Sequence, residues 1–145
     1  ITSAEDVKKK AKKVTLEGNG RTILIMDDEA IVRDTIRNLL EKYRFRVIEA
    51  RDGDECLAQY KSTRSSNQDI SLFIMDLTIP GGKGGEETIS ELLDLNPNLK
   101  CIVSSGYSTD PIMSDPESFG FKAAIAKPYS FNSLLEMVAN ILMED

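Results

Sequence analysis

After Arg21 the chain alternates between short apolar runs and longer stretches in which hydrophobic positions recur at helical spacing. The runs are Thr22 to Met26 (TILIM), Phe45 to Ile48 (FRVI), Ser71 to Met75 (SLFIM), Lys100 to Val103 (KCIV) and Ala123 to Ala126 (AAIA). Each has the length of a strand, and most are β-branched or aromatic. Between them Ile31, Val32, Ile36, Leu39, Leu40 and Tyr43 follow a helical period, as do Phe131, Leu134, Leu135, Val138, Ile141 and Leu142. Two more helices are predicted over 53–65 and 85–95, the second stopped by Asn96-Pro97. The segment 110–119 holds Pro111 and Pro116, which leaves room for a turn or two of helix. Strict alternation of strand and helix predicts an α/β fold: a doubly wound parallel sheet with helices on both faces.

Residues 1–20 read differently. Ala4, Val7, Ala11 and Val14 are spaced 3-4-3 in a lysine-rich stretch, and Gly18-Asn19-Gly20 then breaks the pattern. A helical linker ending in a flexible joint, or a frayed and solvated tail, is predicted there, with the folded domain over 21–145. Composition narrows the function classes. The chain has 145 residues, a net charge of −6 and no histidine. Residues 1–20 carry five lysines against three acids, so the remainder bears −8. An acidic body disfavours nucleic acid as a direct partner. No apolar run approaches the ~18 residues of a membrane span, so no membrane contact is expected. Cys56 and Cys101 are too few and too far apart for a disulfide framework, so a reducing, cytoplasmic compartment is expected. Both read as small buried side chains. Because the first residue is Ile, the chain is expected to be a piece of a longer protein.

In a doubly wound sheet ligands bind beyond the carboxyl ends of the strands. Four features fall there: Asp27-Asp28-Glu29, Asp76, Ser104-Ser105-Gly106 and Lys127-Pro128. Taken singly, Asp27 or Asp28 reads as a helix N-cap, Ser105 as a turn residue and Lys127 as a surface lysine. Taken together they make a pocket of acids, a hydroxyl and an ammonium. Converging carboxylates repel one another unless a cation sits among them, and all-oxygen donors select a hard ion such as Mg2+. With phosphoryl charge neutralised by such an ion and Lys127, a carboxylate becomes a competent nucleophile at phosphorus. Gly81 to Gly85 lacks the phosphate-loop pattern, because Lys83 is followed by Gly84 rather than Ser or Thr, and is expected to be a flexible connection.

The stretches 23–29 (ILIMDDE), 73–80 (FIMDLTIP), 104–107 (SSGY) and 126–129 (AKPY), in this order and spacing, resemble the receiver (response regulator) domain of two-component signalling. The resemblance implies a flavodoxin-like sheet of five strands in the order 2-1-3-4-5, with Asp76 as phosphoacceptor. It implies that Asp27, Asp28, Asp76 and the Thr78 backbone carbonyl hold Mg2+, that Ser105 bonds the phosphoryl oxygens and that Lys127 supplies the ammonium. A cis Lys127–Pro128 peptide bond is implied as well. The phosphoryl donor would be the phosphohistidine of a histidine kinase or histidine phosphotransfer protein. The resemblance is to receivers of hybrid sensor kinases in particular, domains that phosphorylate and dephosphorylate themselves without turnover; it leaves the oligomeric state open.

Two other classes compete with this reading. An aspartyl-nucleophile phosphatase places Asp-x-Asp on its first strand, whereas here the acids are adjacent. A flavodoxin-like FMN module needs a phosphate loop after that strand, where Asp27-Asp28-Glu29 would repel phosphate. One departure from the receiver pattern matters: Ala124 stands three residues before Lys127, where many receivers carry Tyr or Phe. Structural response to phosphorylation is therefore expected to be small or to run through 110–119. Amide exchange with and without a phosphoryl mimic should show protection changes in that segment; a large change confined to the fifth strand is the contrary result.

Overall fold

A computed structural model of the chain describes residues 16–143. The helical linker expected from Ala4, Val7, Ala11 and Val14 lies outside the described residues. Five parallel strands, β1 (Thr22–Met26), β2 (Arg46–Ala50), β3 (Ile70–Asp76), β4 (Cys101–Ser105) and β5 (Ala123–Ala126), form one sheet in the order β2-β1-β3-β4-β5. The helices are α1 (Ala30–Glu41), α2 (Gly53–Ser65), α3 (Gly85–Leu95), α4 (Pro111–Ser114) and α5 (Phe131–Leu142), with a 3-10 turn over Pro116–Phe119. The sheet is the flavodoxin-like one expected, and the two prolines confine α4 to a single turn.

Successive side chains on a strand point to opposite faces, and this parity sorts the core. Ile23, Ile25, Leu72, Ile74, Ile102 and Ile125 bury with Ile36 and Leu40 of α1 and Leu134 and Val138 of α5. Leu24, Met26, Phe73, Met75, Cys101 and Val103 bury on the other face with Cys56 and Tyr60 of α2, Ile89 and Leu92 of α3 and Ile112 of α4. β1 and β4 are buried along their whole length, which is why they read as continuous apolar runs rather than alternating ones. Extrapolated one step, the parity of Ile23 and Ile25 reaches Asp27, that of Leu72 and Ile74 reaches Asp76, and that of Ile125 reaches Lys127. All three belong on the α1/α5 side, at one edge. Ser105 shares the parity of Cys101 and Val103 and so belongs to the opposite side of the same edge.

Four expectations need correcting. Strand β2 starts one residue later than the apolar pattern suggested and runs on to Ala50, because pairing with β1 continues to the Met26–Ala50 rung. Ile31 and Phe131, counted with the buried faces of their helices, are 74% and 50% exposed. Both sit in first turns that project past the sheet edge and line one groove with Val32, Pro128 and Tyr129. Gly81 to Gly85 is not a slack connection. Gly84 and Gly85 are buried, the Gly85 N–H donates to Leu77 O (3.0 Å), the Gly53 N–H donates to Lys83 O (2.8 Å), and the Lys83 ammonium bridges Asp54 and Glu91. Gly18-Asn19-Gly20 is tied down as well: the Gly18 N–H donates to Tyr43 O, the Gly20 N–H to Arg44 O at 2.9 Å, and Leu16 packs on the core.

Gly18 has no room for a side chain, since a Cβ there would lie 2.6 Å from the backbone of Arg44 and Phe45. Gly18→Ala should cost about 1–3 kcal/mol, read as a fall in the thermal midpoint. Gly106→Ala, where nothing lies within 4 Å of the added carbon, should leave the midpoint unchanged.

Candidate functional site

The sheet ladder itself sets the site's backbone. Beyond the last paired residues the Asp27 N–H donates to Ala50 O (3.1 Å), the Leu77 N–H to Ser104 O (2.8 Å) and the Lys127 N–H to Ser105 O (2.8 Å). Asp27, Asp76 and Lys127 therefore stand at or one step past the final rung of their strands. The Lys127–Pro128 peptide bond is cis. On this scaffold Lys127 Nζ lies 2.8 Å from Asp27 Oδ2 and 3.1 Å from Asp76 Oδ2. Asp28 completes a cluster in which the carboxylates of Asp27, Asp28 and Asp76 each offer an oxygen within 4.8 Å of the others.

Asp27 also serves the turn into α1. Its Oδ1 accepts the Glu29 N–H at 2.9 Å, and Glu29, whose own side chain makes no cap bond, is the residue at the helix N-cap. The capping role expected of an isolated Asp and the convergence expected of a site acid are thus carried by different oxygens of one carboxylate. Ser105 is buried at the end of β4, and its Oγ accepts the Tyr107 N–H at 2.9 Å. Asp28, Asp76, Thr78, Ser105 and Lys127 line one cleft of about 410 Å³, together with Glu29, Pro80, Gly106 and Tyr107. All six residues singled out from the sequence meet at this edge.

Burial pushes the Asp76 carboxyl above the ordinary aspartate range, the neighbouring Asp27 charge adds to that, and Lys127 and the Thr78 backbone N–H offset it in part. For Lys127 burial works in the lowering direction, but the hydrogen bonds and charges of Asp27 and Asp76 outweigh it and hold the ammonium up at about 12. It is therefore a permanent cation. Three carboxylates against one ammonium leave the cluster at −2 once all are ionised. An all-oxygen donor set with that deficit fits a hard divalent cation and no softer one.

The site also has a part that sequence reasoning missed. Arg33 of α1 donates from Nη1 to the Asp27 backbone carbonyl (2.8 Å) and from Nε to Glu49 Oε1 of β2 (3.1 Å). Its only trace in the sequence is an arginine one turn into the helix after the acids, which reads equally well as a solvated position.

Residues 23–139 match the response regulator receiver domain model. The chain belongs to that family. It is thus a receiver module of two-component signalling, and the relatives span several arrangements. It is 28% identical over 123 residues to the chemotaxis protein CheY of Thermotoga maritima, covering 84% of this chain and 98% of that one. It is 31% identical over 122 residues to the CAI-1 autoinducer sensor kinase/phosphatase CqsS of Vibrio cholerae, covering 82% of this chain but 17% of CqsS. Among solved structures, the response regulator TrrA of Thermotoga maritima, crystallised in complex with Mg2+-BeF, superposes with a TM-score of 0.71 at 26% identity, covering 83% of this chain and 98% of TrrA. Among the described residues no helix is long and apolar enough to cross a membrane.

Because the folded state holds the Asp76 proton more tightly than the unfolded chain does, ionisation of Asp76 destabilises the fold as pH rises from the unfolded value of about 3.9 through the raised folded one. Asp76→Asn in metal-free buffer at pH 7 should therefore raise stability, read as a higher thermal midpoint. The gap should narrow as pH falls through that window. Adding Mg2+ should stabilise the wild type more than the variant, so calorimetric scans with and without the ion check both signs.

Proposed function

We propose that Asp76 takes a phosphoryl group from a phosphohistidine of a histidine kinase or phosphotransfer partner, and that the site then returns it to water. The observation carrying this reading is the −2 cluster of Asp27, Asp28 and Asp76 around the fixed ammonium of Lys127. An Asp76 oxygen attacks phosphorus, the P–N bond breaks, and its electron pair returns to the imidazole nitrogen of the donor. Lys127, already within 3.1 Å of Asp76, stays paired to the carboxyl and faces the incoming phosphoryl oxygens. The Ser105 hydroxyl donates to a phosphoryl oxygen while its own oxygen keeps the Tyr107 N–H. Asp27, Asp28, Asp76 and the Thr78 carbonyl would hold Mg2+, which would supply the positive charge that lets two anions meet. The Mg2+-BeF complex of TrrA supports that choice of ion.

Donor and acceptor are both anionic, so binding strength has to come from outside the cleft. The groove of Ile31, Val32, Pro128 and Phe131 borders it through Lys127 and presents the two large apolar side chains left exposed in first turns. A partner helix carrying the phosphohistidine beside an apolar stripe suits that groove, because it would bury Ile31 and Phe131 while bringing phosphorus to Asp76.

With a small acyl-phosphate donor and Mg2+, the protein should gain one base- and hydroxylamine-labile phosphoryl group by intact mass. Asp76→Asn or chelation of the metal should abolish the gain, and a variant that still acquired the label would refute the assignment. Ile31→Glu and Phe131→Glu should slow transfer from a phosphorylated histidine phosphotransfer domain by about 10-fold or more, yet leave uptake from the small donor unchanged.

A further inference from the structure

We propose that Arg33 is a positioning residue for the acidic site, acting through the Asp27–Asp28 peptide; this rests on the reading that these two carboxylates hold a divalent cation. Asp27 is the point at which β1 stops pairing. Its N–H is still engaged by Ala50 O at 3.1 Å, whereas its carbonyl is taken by Arg33 Nη1 at 2.8 Å. The same guanidinium reaches Glu49 Oε1 on β2 at 3.1 Å, and the other Glu49 oxygen is bonded by Arg37, which also pairs with Asp34 at 3.0 Å. The Arg33 side chain is only 14% exposed and that of Glu49 26%. Arg33 thus ties α1, the end of β1 and the edge strand β2 together at one carbonyl.

That carbonyl belongs to the peptide joining the two acids, so the orientation of this one peptide plane sets where Asp28 stands relative to Asp27. The Asp27 side chain is fixed independently by the Glu29 N–H and Lys127. Asp28 is exposed and depends on the peptide. The choice of acceptor matters as well. An arginine bonded to the carboxylates themselves would compete with the cation, as Lys127 does for one oxygen of each of its partners. Bonded to the backbone, Arg33 orients Asp28 relative to Asp27 and takes up no carboxylate oxygen of either acid. Groups that orient metal ligands from behind typically account for a 10–100-fold difference in affinity when removed.

The test uses the full chain and Mg2+ alone, titrated by calorimetry at a temperature where circular dichroism shows every variant folded. Arg33→Met should raise the Mg2+ Kd by about 10-fold, and Arg33→Lys should recover only part of that, since an ammonium cannot span both the carbonyl and Glu49. In acyl-phosphate labelling Arg33→Met should shift the Mg2+ concentration for half-maximal rate and leave the rate at saturating Mg2+ near that of the wild type. Arg64→Met serves as the control. It removes a comparable clamp, to Leu95 O at 2.9 Å and over the Tyr60 ring, at the far end of the sheet. It should cost stability without moving the Mg2+ Kd. Wild-type affinity in Arg33→Met would overturn the proposal and leave Arg33 as a structural tie. Failure of the wild type itself to bind Mg2+ would overturn the reading of the site and this proposal with it. If Arg33→Met does not fold, Glu49→Ala, which removes the side-chain acceptor of the guanidinium without deleting Arg33, should weaken Mg2+ in the same sense, and an unchanged Kd there counts equally against the proposal.

Discussion

Three carboxylates held with oxygens within 4.8 Å of one another repel, and the fold brings them together all the same. What makes this tolerable is a single ammonium that arrives from 100 residues away in the chain, at the end of an edge strand. Sheet order explains how it can. β1 and β3 are neighbours, so Asp27 and Asp76 meet through the ladder, and Lys127 leans inward from β5 past the short Ser104–Ser105 end of β4. The serines matter for that geometry: a bulky apolar side chain in place of Ser104, on the same face as Ile102, would stand in the ammonium's path. The hydrophobic core thus does more than stabilise. Its alternation along each strand carries the charged side chains to a shared face.

This is also why so much was legible in the sequence. Continuous apolar runs identify strands buried on both faces, and a run that ends in an acid, a serine or a lysine identifies the edge at which those side chains gather. Parity within the run even assigns the side, with Asp27, Asp76 and Lys127 together and Ser105 across from them. The arrangement of the charged groups follows from which residues end each strand, not from any motif.

What escaped the sequence is equally physical. Gly84 and Gly85 read as flexibility because glycine permits it, yet a Cβ at Gly84 would stand 2.3 Å from Leu77 O, so the residue is there for close approach and not for motion. Gly18 misleads in the same way. Ile31 and Phe131 fit the helical period, but a period describes one helix and says nothing of where the sheet beneath it ends. Arg33 was invisible because its partner is a backbone carbonyl, and no residue type in a sequence announces that its carbonyl has left a ladder.

Ala124 adds a last constraint. It faces the α2/α3/α4 side, packed against the core there, and is paired in register with Val103. A methyl group at that position fills little space and has no ring to swing. Ser105 is the site residue with the same parity, and its connections lead elsewhere: its hydroxyl takes the Tyr107 N–H, the Tyr107 carbonyl takes the Asp110 N–H at 3.2 Å, and the Asp110 carboxylate caps α4 through the Ile112 N–H at 2.9 Å. Ile112 is buried in the core of that face, whereas Tyr107 is 69% exposed. The contiguous hydrogen-bonded route from the hydroxyl to the surface therefore runs along the chain through 105–112, into a helix that Pro111 and the following Pro116 confine to a single turn. A displacement of Ser105 toward a phosphoryl group would pull first on this route, because the Tyr107 amide is bonded to the very atom that moves. β5 is bonded to the same serine only through its backbone, at Lys127 N, and a backbone ladder bond is indifferent to where the hydroxyl points.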